Sequence, residues 1–352
     1  MRPSADDAES ARHALANTAR LLPISGATAS TYTISGIISG KTITCSIVAN
    51  DGSGANNATA TAVTAGVVVS NGDEDSDGVV TDVEILFGSN PLSASSLPTS
   101  QVIGQTDSTG VALANAVNNN GGENDTNPYA VSLPQGISVD SAGQRLFVAD
   151  ANNSRVLVFP LTASGTLASR KASNVLGQLD MVHNDTNGSG VATQSGLDVP
   201  KSAEFYDDGA KKWLMVTDDV DDRVVIYDIT NGITNGMNAS KVLGQANFTA
   251  SSAGLTQTTL NAPRSAKVHI IGTKKLLCVT DKLNDRVMIW DITTGGISGL
   301  TNGQAASFVL GQPNFTTNGT VVDASSLDNP IGTAAWGNIL FVSDALNDRI
   351  LG

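Results

Sequence analysis

The pattern V-[LI]-G-Q occurs four times in this 352-residue chain, as VIGQ (102–105), VLGQ (175–178), VLGQ (242–245) and VLGQ (309–312). Its glycines, at 104, 177, 244 and 311, lie 73, 67 and 67 residues apart. A second pattern keeps step: ADANNSRVLVF (149–159), TDDVDDRVVIY (217–227), TDKLNDRVMIW (280–290) and SDALNDRI (343–350). Between the two a leucine and a proline recur, at Leu197/Pro200, Leu260/Pro263 and Leu327/Pro330, with the adjacent pair Leu133-Pro134 in the first copy. Three patterns kept in one order four times define a repeat, and that restricts the fold to one supersecondary unit copied along the chain.

Each unit reads as four short strands. In the first they are GISVD (136–140), RLFVAD (145–150), RVLVF (155–159) and SNVLGQ (173–178). All are β-branched or aromatic runs bounded by Gly, Asn, Asp and Pro, without helical spacing. A four-stranded unit repeated about an axis is a β-propeller blade. Within the second pattern Asp150 ends one strand and Arg155 opens the next, close enough for the guanidinium to reach the carboxylate or turn carbonyls. Asn153, Asp221, Asn284 and Asn347 precede the turn's last residue, and their residue type suits a left-handed conformation. The Asp–Arg pairs read as hairpin struts rather than a ring of ligand-binding charges, because every copy carries them whatever its loops do.

The run from Pro134 to Phe159, with P-x-G-I-x-V-D followed by L-F-V-A-D-x-x-N-x-R-V-x-V-F, resembles the NHL repeat. The later copies keep Pro200, Pro263 and Pro330 but replace the following Gly-Ile with Ser-Ala, Ser-Ala and Gly-Thr. The resemblance implies an NHL-like propeller over residues 99–352 and leaves function open, since such rings serve as binding platforms, signalling modules and occasional enzymes. VIGQ at 102–105 precedes the first complete blade, and the fourth copy stops inside its third strand. Two arrangements fit: a four-bladed ring closed by 102–105, or a larger ring cut short. Six blades are usual for the family, and the larger ring is the expectation.

Upstream, the stretch YTISGIISGKTITCSIVANDGSG within residues 28–70 alternates apolar and polar residues and resembles the last strands of bacterial immunoglobulin-like surface modules. Residues 1–27 carry no assignable pattern and no apolar core of a signal peptide. Cys45 and Cys278 lie in unrelated segments and read as small apolar residues of strands rather than a disulfide pair.

The linker 71–98 contains DEDSDGVVTDVE (73–84). Asp73, Asp75, Asp77, Val79, Thr81 and Glu84 fall on positions 1, 3, 5, 7, 9 and 12 of an EF-hand loop, with Gly78 at position 6. A Ca²⁺ ion takes six to eight oxygens, so this order supplies three carboxylates, the Val79 carbonyl, the Thr81 position and a bidentate Glu84. The continuation to Pro91 is similar to thrombospondin type 3 calcium repeats, which often carry Asp where this chain has Thr81.

A formal charge of −13 and a pI near 4.5 disfavour nucleic acid and anionic lipid surfaces, and no apolar run is long enough to cross a membrane as a helix. His183 and His269 do not make up a three-ligand zinc site alone, and no hydrolase or phosphate-loop motif is present. The sequence therefore predicts an all-β, secreted or cell-surface binding or adhesion protein, non-enzymatic, monomeric within a larger multidomain chain, holding Ca²⁺ in its linker. The alternative is a lyase or hydrolase with a metal on the propeller axis. A protein or glycan ligand is expected on the face of the long polar loops 106–133, 179–199, 246–262 and 313–329.

Overall fold

The computed structural model describes residues 103–104, 126–188 and 190–352, together with the backbone of four short strands between 42 and 68. The chain divides into two compact units, residues 1–100 and 101–352. In the first, β1 (Thr42–Ile43) pairs antiparallel with β4 (Val67–Val68), and β2 (Ser46–Asn50) with β3 (Thr59–Val63). The calcium-loop residues 73–84, and Cys45, lie outside the described residues.

The second unit is a run of four antiparallel meanders, each one blade of a β-propeller arrangement. Blade 1 is β5 (Pro134–Asp140), β6 (Arg145–Asp150), β7 (Arg155–Pro160) and β8 (Asn174–Leu176). Blade 2 is β9 (Pro200–Asp207), β10 (Lys212–Asp218), β11 (Arg223–Asp228) and β12 (Lys241–Leu243). Blade 3 is β13 (Pro263–Ile271), β14 (Lys274–Asp281), β15 (Arg286–Asp291) and β16 (Phe308–Leu310). Blade 4 has three strands, β17 (Pro330–Trp336), β18 (Ile339–Asp344) and β19 (Arg349–Leu351). The inner strands β5, β9, β13 and β17 follow one another in contact.

Central strands carry continuous apolar runs such as WLMV and VVI because both faces of a blade meet another layer. Phe147, Val156 and Val158 of blade 1 pack on Leu214, Val216 and Val225 of blade 2, with Phe147 stacked on Phe205 at 6.2 Å. Trp213, Met215, Val224 and Ile226 pack on Leu277, Val279, Met288 and Trp290 of blade 3. Cys278, Val287 and Ile289 meet Val342, Leu340 and Leu351. Cys278 is a buried free thiol, pushed by that burial up to about 12. Hydrogen bonds across blade junctions add register: Asn235 Oδ1 accepts from Val175 N at 3.1 Å, and Asn302 Oδ1 from Val242 N at 3.1 Å.

The described part of 102–105 lies against blade 1. Ile103 joins Val131 over the apolar cluster of Val148, Leu157 and Phe159, and Gly104 N donates to Tyr129 O at 3.2 Å. Among the described residues β19 pairs with β18 alone. Closure of blade 4 by 102–105 is thus not the arrangement seen.

Candidate functional site

The Asp–Arg struts decide what the loop face is. Arg155 Nε donates to Asp150 Oδ2 at 2.8 Å, Arg223 Nε to Asp218 Oδ2 at 2.8 Å, Arg286 Nε to Asp281 Oδ2 at 2.7 Å and Arg349 Nε to Asp344 Oδ2 at 2.6 Å. The first three arginines are fully buried. Each guanidinium then uses its remaining N–H groups on loop carbonyls. Arg155 reaches Ala130 O and Asn127 O in the loop before its blade and Met181 O in the loop after it. Arg223 reaches Gly196 O and Thr193 O before, and Phe248 O after. Arg286 reaches Thr256 O and Thr259 O before, and Phe315 O after. Arg349 finds Ser326 O before it at 2.8 Å. These bonds hold the connecting loops and the second-to-third strand turns together on one face.

Each strut aspartate also binds the loop backbone. Its second oxygen accepts from the amide two residues before the proline: Ser132 on Asp150, Asp198 on Asp218, Asn261 on Asp281 and Asp328 on Asp344, at 2.6 to 2.7 Å. Burial pushes the pKa of Asp150, Asp218 and Asp281 up. At Asp344 burial acts the same way, but bonds from Asp328 N, Asn347 and Arg349 outweigh it and the pKa falls.

The left-handed residue of the turn is not the asparagine. Ser154, Asp222, Asp285 and Asp348 hold the positive φ, between 49° and 53°. Asn153, Asn284 and Asn347 sit inside a single 3-10 turn and donate their amides to the strut aspartates at 2.8, 2.8 and 3.0 Å. A left-handed residue is needed where the 3-10 turn ends, one position later, while the asparagine has its own hydrogen-bonding task. In the second copy Asp221 cannot donate, and its carboxylate instead meets the Arg223 guanidinium at 2.9 Å.

Two further sequence readings change. The first copy's counterpart of Leu197, Leu260 and Leu327 is Val131, three residues before the proline like the others, and not Leu133. The V-[LI]-G-Q pattern, read only as a strand, is also a clamp. Gly177, Gly244 and Gly311 have φ of 84–90°, and a Cβ there would stand 2.7, 2.5 and 2.5 Å from a methyl of Leu197, Leu260 and Leu327. Gln178 Nε2 donates to Ser154 O at 3.1 Å, Gln245 Nε2 to Asp222 O at 3.1 Å and Gln312 Nε2 to Asp285 O at 2.9 Å. Each glutamine also bonds a carbonyl seven residues on, at Asp185, Ser252 and Gly319. The signal was available in the sequence, since an invariant Gly-Gln after a strand marks a positive φ and a polar side chain with a fixed partner.

The long loops are therefore anchored. Phe248 and Phe315 pack inward against the blade cores and offer their carbonyls to the struts, while Leu179, Val182, Val191, Val321 and Val322 of these loops are exposed. His183 and His269 do not come together: His183 Nδ1 lies 2.6 Å from exposed Asp180, and buried His269 Nε2 lies 2.9 Å from Thr333 Oγ1. Burial first, and Lys267 second, lower His269 to about 4. No group of three or more His, Cys, Asp or Glu stands together to hold a metal among the described residues.

The NHL-repeat family matches residues 132–159, the first copy. No curated protein matches the chain. Among solved structures, the chain is similar to an auxiliary nutrient binding protein from Bacteroides thetaiotaomicron, at 12% identity and a TM-score of 0.40, over 61% of this chain and 46% of that one. It is similar to an auxiliary nutrient binding protein from Bacteroides ovatus, at 11% identity and 0.41, over 63% and 48%. A putative phosphatase from Bacteroides thetaiotaomicron follows at 8% identity and 0.37, over 61% and 46%. The chain spans less than half the length of these proteins.

Proposed function

We propose that the chain is a non-enzymatic binding module of a secreted or cell-surface multidomain protein, taking a protein or glycan on the loop face of its propeller. The observation that carries this is the anchoring of the loops. Buried Arg223 and Arg286 each tie the loop before and the loop after their blade to one turn. A backbone held in this way presents polar side chains with little ordering entropy left to lose on binding, the main cost that preorganised surfaces avoid. In the same reading, residues 73–84 hold a structural Ca²⁺ ion through Asp73, Asp75, Asp77, Val79, Thr81 and Glu84, stiffening the segment between an immunoglobulin-like module and the propeller. The four blades are then part of a larger ring, six-bladed as is usual for NHL-type propellers.

The experiment is a binding screen of the full chain on a glycan array and against displayed peptides, beside an assay for turnover of ester and glycoside substrates. Saturable binding without turnover is the expected result; turnover, or binding of neither class, overturns the proposal.

A further inference from the structure

The chain carries 20 Lys and Arg against 33 Asp and Glu, so an unpaired cation is unusual. Four lysines find carboxylates, Lys211 on Asp228, Lys212 on Asp140, Lys267 on Glu204 and Lys274 on Asp291, and Lys241 bonds the Leu300 carbonyl. Three cations at the ends of the inner strands do not. Lys201 and Arg264 are the second residues of β9 and β13, each directly after its proline, and Lys282 opens the 3-10 turn that follows β14. Among the described residues none of the three has a salt-bridge partner within 4.0 Å. Arg264 Nε is buried with no acceptor at all, although a guanidinium N–H withdrawn from water normally finds one.

These groups form one cluster. Inner strands β9 and β13 are in contact, and Thr217 Oγ1 of blade 2 reaches Arg264 O at 3.4 Å. After burial, the charges that act on Lys201 are Asp219, Arg264 and Lys282, so two cations and one carboxylate face it. At Asp198, two residues before Pro200, burial first and then the like charges of Asp221 and Asp219 raise the pKa, and Arg223 is the cation that opposes them.

The same turns carry exposed aliphatic tips. Val220, Leu283 and Leu346 occupy one position in three successive copies and are 51, 47 and 65% exposed. Their amides donate to Asp198 O, Asn261 O and Asp328 O, two residues before each proline, which sets the tips beside the inner-strand ends. Ile331, at the position of Lys201 and Arg264 in blade 4, is 47% exposed. Exposed apolar side chains at equivalent positions beside unpaired cations are a pattern of interfaces rather than of plain solvated surface.

Resting on the binding-module reading, we propose that this patch docks an acidic protein segment bearing aliphatic side chains. Charge selects an anionic partner. The aliphatic tips select one with apolar side chains of its own, which an acidic glycan lacks, and no residue of the patch is an aromatic ring on which a sugar could stack.

The test selects displayed random peptides on the full chain, with oligogalacturonate as a separate acidic-glycan probe. Enriched peptides should combine Asp or Glu with Leu, Ile or Val. The best of them should bind the Lys201→Gln/Arg264→Gln/Lys282→Gln variant about tenfold or more weakly, with affinity falling as salt rises. The Leu283→Ser/Leu346→Ser variant, altered only at exposed tips, should lose about fivefold. A thermal melt confirms that both variants fold. Enriched peptides without acids, or undiminished binding by the triple variant, overturn the proposal. Oligogalacturonate binding without peptide enrichment overturns it while leaving the binding module standing; silence from both probes overturns it too, and the glycan array then decides the binding module separately.

Discussion

Replacing Arg286 by alanine should be far more costly than replacing Arg349, although both carry the same motif. Arg286 is fully buried, bonded to Asp281 and to three loop carbonyls, and its loss strands a fully buried carboxylate. Removing one partner of a buried pair costs about 3–5 kcal/mol, and for a unit of this size each kcal/mol lowers the melting temperature by about 2–4 °C. A drop of roughly 8–16 °C follows for about 4 kcal/mol. The Arg349 side chain is 25% exposed and bonds Asp344 and one carbonyl. Its loss should cost only about 1 kcal/mol, or a few degrees, because water takes over part of its work. The assay is differential scanning calorimetry of both variants beside the parent, with Arg286→Lys as a third sample that keeps the charge and loses the planar fork. Equal shifts for Arg286→Ala and Arg349→Ala would refute the reasoning, because burial and the extra carbonyls would then contribute nothing.

Three other outcomes are expected. Burial first, with Asp219 and Asp221 nearby, raises Asp222 to about 6 against the Ala262 N–H bond that lowers it. A carboxyl that holds its proton more tightly when folded stabilises the fold below its unfolded pKa and loses that contribution as pH rises through about 6; urea midpoints should show Asp222→Asn flattening the decline between about pH 4 and 6. Gly244→Ala should destabilise by about 2–4 kcal/mol through its positive φ and the Leu260 methyl 2.5 Å away, whereas Gly209→Ala, with φ of 87° and open space, should cost only about 1 kcal/mol in the same measurement. Calcium titration calorimetry should report one site that Glu84→Ala abolishes, since the bidentate ligand at position 12 is gone; identical isotherms would remove the calcium proposal.

The blades were legible because their signals are local and repeated. RLFVAD is β6 residue for residue, and Asp150 and Arg155 meet as their spacing requires. The strut was underestimated because its long-range half leaves no pattern in sequence: Arg286 bonds backbone carbonyls 27 to 30 residues away, and any residue supplies a carbonyl. The asparagine was misplaced for a related reason. Residue type tolerates a left-handed φ at either Asn284 or Asp285, and only the 3-10 geometry assigns it to Asp285. The docking patch was invisible from sequence because Lys201, Arg264 and Lys282 lie up to 81 positions apart and gather only when inner strands align. The composition of the loops pointed to a mainly polar recognition surface, whereas Phe248 and Phe315 turn inward and exposed aliphatic side chains stand both on the turns and on the loops, as at Leu283 and Val321.

The central claim is that the three repeated patterns form one fastened unit, so that the long loops are a fixed platform. Amide hydrogen exchange of the full chain, read by peptide, tests this most directly. The account predicts that the amides of Asp198, Asn261 and Asp328, each held by a strut carboxylate, exchange as slowly as the flanking strands, and that Arg286→Ala releases residues 256–262 while leaving blade 1 protected. Loop amides that exchange at the rate of free peptide in the parent chain would contradict it.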